Sequence, residues 1–443
     1  MRECMVCAKT GPVSINEAPP EVLQSRHLTL IALGGLIGIG MLVGCSGAIV
    51  HAGYAVFISI SYAGGLTFCA MKTLATYMRV DPGRGSFLAY IGNSTYSPQR
   101  FVCSWLYCLY WTAVIGSESL GGGILVHQYL PVPVFVTALI LIAMMATLNV
   151  YSVRLFAQVE YSLTWMKIAA IILFCLICML DIVLNFRLSF VKFKNFFELS
   201  FSDVLLAFQS VPTIMFSLAG AEIVTIAHRE IENASQELGE ISRSVTVRMT
   251  LCYLLPVLFI LLILPLETIR PGYSPFADTL ALLHIPAGKK IFDAVIFLTL
   301  ISCINTSIYV ASRVMREALR VEDRYSRTSL RQEIISVSAC GSLLCGGAFF
   351  ASQAAFSLLL DLSGYITITI YAVIAYYFLR SPVTRLVKKS ERRGALATIV
   401  FVLGVFCAAA STRSNYIGLV AFIVAGATLT ALYYALAVRR RQY

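Results

Sequence analysis

Leu33-Gly34-Gly35-Leu36-Ile37-Gly38-Ile39-Gly40 places four glycines in eight residues, inside the first long apolar run of the chain. Glycine in a helix interior costs about 1 kcal/mol against alanine, so a membrane helix does not gather four without a use for them. Two uses exist. Glycine lets another helix approach closely. It also lets the helix unwind, turning backbone N–H groups toward a bound anion at mid-membrane. A matching interruption later in the chain favours the second use. There, Phe216-Ser217-Leu218-Ala219-Gly220-Ala221-Glu222 sets small residues and a glycine before a carboxylate. A pair of interrupted spans, one opening each half, points to an inverted-repeat transporter.

The composition around these stretches leaves one fold class. Of 443 residues, 58% are hydrophobic and 13% charged, with a mean hydropathy of +0.80. A soluble domain cannot hide that much apolar surface. Apolar runs of about 20 residues recur along the whole length. They are continuous rather than alternating, which excludes a barrel. The expected fold is an all-α polytopic membrane protein. Its twelve spans fall at 28–49, 54–78, 100–129, 132–150, 161–184, 204–228, 245–266, 290–319, 333–350, 356–379, 395–411 and 416–438. No linker or low-complexity tract divides it, so a single membrane unit, 28–438, sits between a polar segment, 1–27, and a basic tail, 439–443.

The net charge of +11 does not indicate nucleic acid, because the basic residues cluster in short loops between spans. That is the positive-inside pattern. The dense clusters lie at 313–331, 380–393 and 439–441. The alternate loops hold few basic residues, mainly Arg187, Lys192, Lys194, Arg270 and Arg413. Both termini are therefore expected in the cytoplasm, and the basic end also suits anionic lipid. The thirteen cysteines lie mostly in apolar runs and show no metal spacing. Cys4 and Cys7 form a CxxC, but a lone pair near a terminus reads as structural. No metal or cofactor is expected, and no cleavable signal peptide is evident.

Charged residues inside apolar spans carry a cost of at least 2.5–3.5 kcal/mol on insertion scales, so each is a functional candidate. Glu118 lies in span 3, Lys167 in span 5, and Glu222 just after the span 6 interruption. Each has a plainer alternative. Lys167 sits a few residues into its span and can snorkel to the interface; the functional reading is a proton carrier whose affinity burial tunes. Glu222 can simply hold span 6 through a helix-interface hydrogen bond. Glu118 can pair with a neighbouring Ser or Tyr. Asp361, nearer a span end, is less telling, and His51 and His127 read as interfacial. Phe216 immediately precedes the second interruption, where a ring can close a pocket as a gate or merely pack between helices.

Several of these motifs together resemble the bacterial amino acid transporter branch of the amino acid–polyamine–organocation superfamily. Ser25-Arg26-His27-Leu28-Thr29 and the glycine stretch resemble its opening, and Gly85-Ser86-Phe87-Leu88-Ala89-Tyr90 its GSFxxY motif. Trp105-Leu106-Tyr107, Trp111 and Glu118 are similar to its span 3, Lys167-Ile168 to its span 5, and 216–227 to its span 6. Ser302-Cys303-Ile304-Asn305, with Tyr309, Ala311, Ser312 and Arg313, resembles the γ-aminobutyrate permeases within the branch.

The resemblance implies a five-plus-five inverted repeat with discontinuous helices 1 and 6 and two accessory helices. It also implies a secondary active amino acid transporter in the bacterial inner membrane, importing its substrate with protons by alternating access, and not an enzyme. Ile37, Gly38, Ile39 and Gly40 would meet the substrate carboxylate, Ala219 and Gly220 the amine, and Phe216 would be the gate. Glu118, Glu222 and Cys303 would complete the substrate site, with Lys167 and Glu222 coupling the proton. Helix N-termini stabilise anions and C-termini stabilise cations, which suits a zwitterion.

The chain departs from the branch at Gly53-Tyr54-Ala55, where Gly-Pro-Ala is usual, and at Thr76-Tyr77-Met78, which lacks a glutamate. Glu232-Asn233-Ala234-Ser235-Gln236 lacks an Asn-Pro-x-Lys turn, and the loop after span 8 lacks a Gly-x-x-Pro element. These departures keep two alternatives open, an exchanger of the same fold and a transport-deficient amino acid sensor.

Overall fold

A computed structural model of the chain describes residues 37–81, 86–92, 97–151, 153–185, 198–222, 237–321, 329–411 and 416–441. The first part of span 1, including Leu33 to Leu36, and the second half of span 6, 223–236, lie outside the described residues. So do Gly85, Arg187, Lys192, Lys194 and Arg413.

Among the described residues, seven helical stretches are long and apolar enough to cross a bilayer. The pair Phe201–Gln209 and Val211–Leu218, bent by 44°, makes an eighth. Two of the seven, Gly40–Val80 and Leu330–Arg380, run for 41 and 51 residues. At about 1.5 Å per residue, each is roughly twice the hydrocarbon thickness or more, so each holds two passes. Span 3, Pro98–His127, and span 4, Val134–Tyr151, complete the expected twelve. Span 3 is central and carries polar and aromatic residues inward: Tyr107, Tyr110, Trp111, Ser117, Glu118 and Ser119 are all buried.

The remaining spans follow in order. Span 1 is seen as a π-helical turn, Gly40–Gly44, running into Cys45–Ala52, and span 2 is Val56–Val80. Span 5 is Val153–Leu184, span 6 the bent pair, span 7 Glu237–Ile263 and span 8 Gly288–Val321. Spans 9 to 12 are Leu330–Leu344, Ala348–Arg380, Lys389–Ala410 and Tyr416–Arg441. Spans 5 and 7 begin at Val153 and Glu237, ahead of the expected 161 and 245, and two further boundaries differ for visible reasons. The break between spans 9 and 10 begins at Cys345–Gly347, where Gly346 and Gly347 weaken the helix, and ends with Ala351 extended at φ −153° and ψ 86°. Span 11 starts at Lys389 because Glu391 caps it, accepting from the Lys388 N–H at 2.9 Å; a hydropathy reading discounts such a charged first turn.

The packing of spans 1 to 10 has a twofold pattern. Span 3 packs against spans 4, 9 and 10, as span 8 packs against spans 9, 4 and 5. Span 2 meets span 10 as span 7 meets span 5, and spans 2 and 7 meet each other. Adding five to each number maps one set onto the other. Five is odd, so related spans cross the membrane in opposite directions, which is an inverted repeat. Spans 11 and 12 stand outside it: span 11 lies on spans 2 and 10, and span 12 on spans 10 and 3.

Charged contacts at the span ends obey the same alternation. Arg79 at the end of span 2 meets Glu391 at the start of span 11, at 2.5 Å. Glu317 at the end of span 8 lies 3.9 Å from Arg100 at the start of span 3 and accepts from Ser86. Arg316 meets Glu333 at the start of span 9, at 2.8 Å. Each contact joins the finish of an even span to the beginning of an odd one, so all lie at one end of the bundle, which we term the basic end. Tyr129 and Asp293, 2.5 Å apart, and Lys289 and Asp278, 3.0 Å apart, mark the other end.

Candidate functional site

The two interruptions meet at the centre of the bundle. Span 6 stops helically at Leu218 because Ala219 turns extended, at φ −79° and ψ 150°. Gly220 follows with φ +117°, a conformation that side chains with a Cβ rarely adopt. Span 1 begins its helix on the other side of the contact. Ile37 and Gly38 are bent, and the π-helical turn starts at Gly40. Gly40 has no room for a side chain: a Cβ there would overlap Ser217 Oγ and the Phe216 ring. A helix N-terminus from span 1 thus faces a helix C-terminus from span 6. The first presents partial positive charge and the second partial negative charge.

Glu118 of span 3 is fully buried, and the Ile39 N–H donates to both its carboxylate oxygens, at 3.0 and 3.1 Å. Its partner is therefore the span 1 backbone rather than a Ser or Tyr. A Cβ on Gly38 would overlap the same carboxylate, so the glycine is what lets span 3 deliver a charge to the turn. The buried Tyr253 of span 7 donates to the Gly40 carbonyl at 3.3 Å and fixes the turn from behind.

Lys167 does not snorkel. Its side chain is 0% exposed, and Nζ donates to Ser302 Oγ at 2.8 Å and to Cys303 Sγ at 3.7 Å, both on span 8. Glu160, one residue before the expected start of span 5 and equally buried, lies 3.7 Å from Nζ and accepts from Ser302 Oγ at 2.6 Å. Cys303 Sγ in turn donates to the Ile37 carbonyl at 3.2 Å. A continuous polar chain therefore runs from Glu160 and Lys167 through Ser302 and Cys303 to the span 1 turn and Glu118.

Glu222 belongs to a second cluster. One carboxylate oxygen accepts from Tyr107 of span 3 at 3.1 Å; the other accepts from Tyr371 of span 10 at 2.8 Å and from the Gly220 N–H at 3.0 Å. Three donors on a buried carboxylate satisfy it well. They also pin the span 6 turn to spans 3 and 10, as the helix-interface alternative describes. Asp361 accepts from Thr213 at 2.5 Å and ties span 10 to span 6.

Sequence reading missed Glu160, Tyr107, Tyr371 and Ser302 as site residues. Glu160 carried a usable signal: it precedes Lys167 by seven positions, two helical turns on one face. Tyr107 stood in a stretch quoted for the family resemblance but without a role of its own, and Tyr371 carried no signal, since aromatics are common in any span. Among the described residues no group of three or more His, Cys, Asp or Glu is arranged to hold a metal.

A family model for amino acid permeases matches residues 27–438. The chain belongs to the amino acid permease family. The permease is 30% identical to the γ-aminobutyric acid permease of Bacillus subtilis over 376 residues, covering 80% of this chain and 78% of that one. It is also 30% identical to the Escherichia coli γ-aminobutyric acid permease, over 81% of this chain and 80% of the relative. The aromatic amino acid transport protein AroP of Corynebacterium glutamicum is 28% identical over 81% of each. Among solved structures, the Eremococcus coleocola manganese transporter superposes with a TM-score of 0.54, covering 97% of the permease and 98% of that chain at 12% identity. That likeness concerns the fold alone, and it extends over both halves. The permease is a multi-pass membrane protein.

Proposed function

We propose that this permease imports an amino acid by alternating access, driven by protons, with its basic end and both termini in the cytoplasm. The observation that carries the reading is the meeting of opposite helix ends at Gly40 and Phe216. An amino acid zwitterion needs an anion site and a cation site within one small volume, and the backbone ends of two broken helices supply both. The substrate carboxylate addresses the N–H groups of Gly38 and Gly40, on either side of the Ile39 N–H that Glu118 occupies, and the amine addresses the carbonyl end of span 6 near Ala219 and Gly220. Phe216 closes over them. The names of the relatives support an amino acid substrate, with γ-aminobutyrate the first to try.

Proton coupling is assigned to Lys167 with Glu160. Their pair is buried and continues through Cys303 to the carbonyl of Ile37. Gaining or losing one proton there changes the net charge beside the turn that holds substrate. Glu222 keeps the positioning role that its tyrosines describe.

The test is uptake into proteoliposomes of a radiolabelled amino acid panel, with and without an inward proton gradient. Accumulation above equilibrium only with the gradient is expected. Uptake that depends on internal amino acid instead of pH would reassign the protein as an exchanger. Saturable binding without uptake would make it a sensor.

A further inference from the structure

The accessory helices leave a groove that the transport site does not use. It encloses about 790 Å³ between spans 3, 10, 11 and 12, within the roughly 300–1,000 Å³ range of ligand sites. Its walls are apolar: Val102 and Leu106 from span 3, Val373 from span 10, Val402 and Phe406 from span 11, and Phe422 from span 12. On span 10 the lining runs from Thr369 to Tyr377. That is about 12 Å along a helix, close to the depth of one leaflet.

One end of the groove is different. The lining residues Tyr376 and Tyr434 are exposed there, in the manner of interfacial aromatics. Arg380 sits at the same end, its guanidinium carbon 5.1 Å from the Tyr376 ring centroid. Arg385, Lys388, Lys389 and Arg393 are exposed on the adjoining loop and first turn of span 11. The carboxylate among them, Glu391, is engaged by Arg79 at 2.5 Å. The span 12 helix that carries Tyr434 continues to Arg441. An apolar slot one leaflet deep, with cations at its mouth, has the charge pattern of one ligand class.

We propose that this groove binds one anionic phospholipid from the leaflet at the basic end, with an acyl chain lying between spans 3 and 12 and its phosphate at Arg380. The same stretch of span 10 faces the transport site from its other side. Tyr371, between the lining residues Thr369 and Ala372, donates to Glu222 at 2.8 Å. A lipid in the groove therefore braces the helix that holds the span 6 turn.

The test counts retained lipid by native mass spectrometry on the full-length purified protein. Phosphatidylglycerol and phosphatidylcholine with identical acyl chains are supplied in equal amounts. One phosphatidylglycerol is expected to be retained, about fivefold in preference to phosphatidylcholine for each basic residue engaged. Thr430→Trp and Gln99→Trp fill the groove from opposite walls at exposed positions and should each abolish that retention. Arg380→Gln should keep a bound lipid but weaken the preference. Equal retention of the two lipids by the unaltered protein, or wild-type retention by both tryptophan variants, overturns the proposal. Neither result bears on transport, so the outcome is independent of the substrate assignment.

Discussion

At the scale of residues, two buried carboxylates do opposite work. Glu222 is surrounded by donors and fixes a turn, while Glu118 is offered to a backbone N–H in a region assigned to substrate. Glu118→Gln keeps an acceptor for the Ile39 N–H but removes the charge, a loss of about 1–2 kcal/mol in a hydrogen bond of this kind. Saturable uptake should survive with a changed KM, whereas Gly38→Ala, which displaces the carboxylate, should lower kcat/KM at least about tenfold. A larger effect from E118Q than from G38A, measured in the same vesicles, would contradict this ordering. Lys167 and Glu160 make a separate prediction. Removing one partner of a buried pair costs about 3–5 kcal/mol, so Lys167→Met should lower the melting temperature of the purified protein. Combining it with Glu160→Gln should recover most of that stability, yet gradient-driven accumulation should remain absent. Recovery of accumulation in the double variant would remove the pair from the coupling role.

At the scale of elements, the close approach of span 10 to span 6 is the least forgiving contact. A Cβ on Gly364 would overlap the Pro212 carbonyl, whereas Gly47 in span 1 has nothing near its position. Gly364→Ala should therefore abolish monodisperse protein on size-exclusion chromatography, and Gly47→Ala should leave the yield unchanged. This asymmetry marks the limit of what was legible. The twelve spans and both interruptions followed from hydropathy and glycine placement, because long apolar runs in a bilayer have few alternatives to helix. The glycine of the span 6 break, Gly220, was readable for the same reason. Which glycine meets which neighbour was not. Gly364 lies in an unremarkable apolar run, and only tertiary packing places Pro212 against it. Tyr107 and Tyr371 were hidden similarly, since nothing local distinguishes a tyrosine that reaches a carboxylate from one in an aromatic belt. Glu160 was missed because its span, which begins at Val153, was started at Tyr161.

At the scale of the whole molecule, the ion pairs at the basic end differ in weight. Arg79 is 55% exposed at the side chain, so Arg79→Ala should change stability by less than about 1 kcal/mol. Glu333 is 1% exposed against Arg316, so Arg316→Ala removes a charge partner from a buried carboxylate and should lower stability more than Arg79→Ala. Thermal melts of the two variants, compared side by side, check the difference. The packing that relates spans 1 to 5 with spans 6 to 10 has a further consequence. If the two halves exchanged conformations, each contact of span 3 would be given up and its counterpart on span 8 gained. On the alternating-access reading proposed above, the totals of the two arrangements would nearly cancel, and the two states would be minima of almost equal depth. The residues without a counterpart then set the small difference between them. A gap that narrow would be one that a single bound amino acid, or a single proton, could reverse.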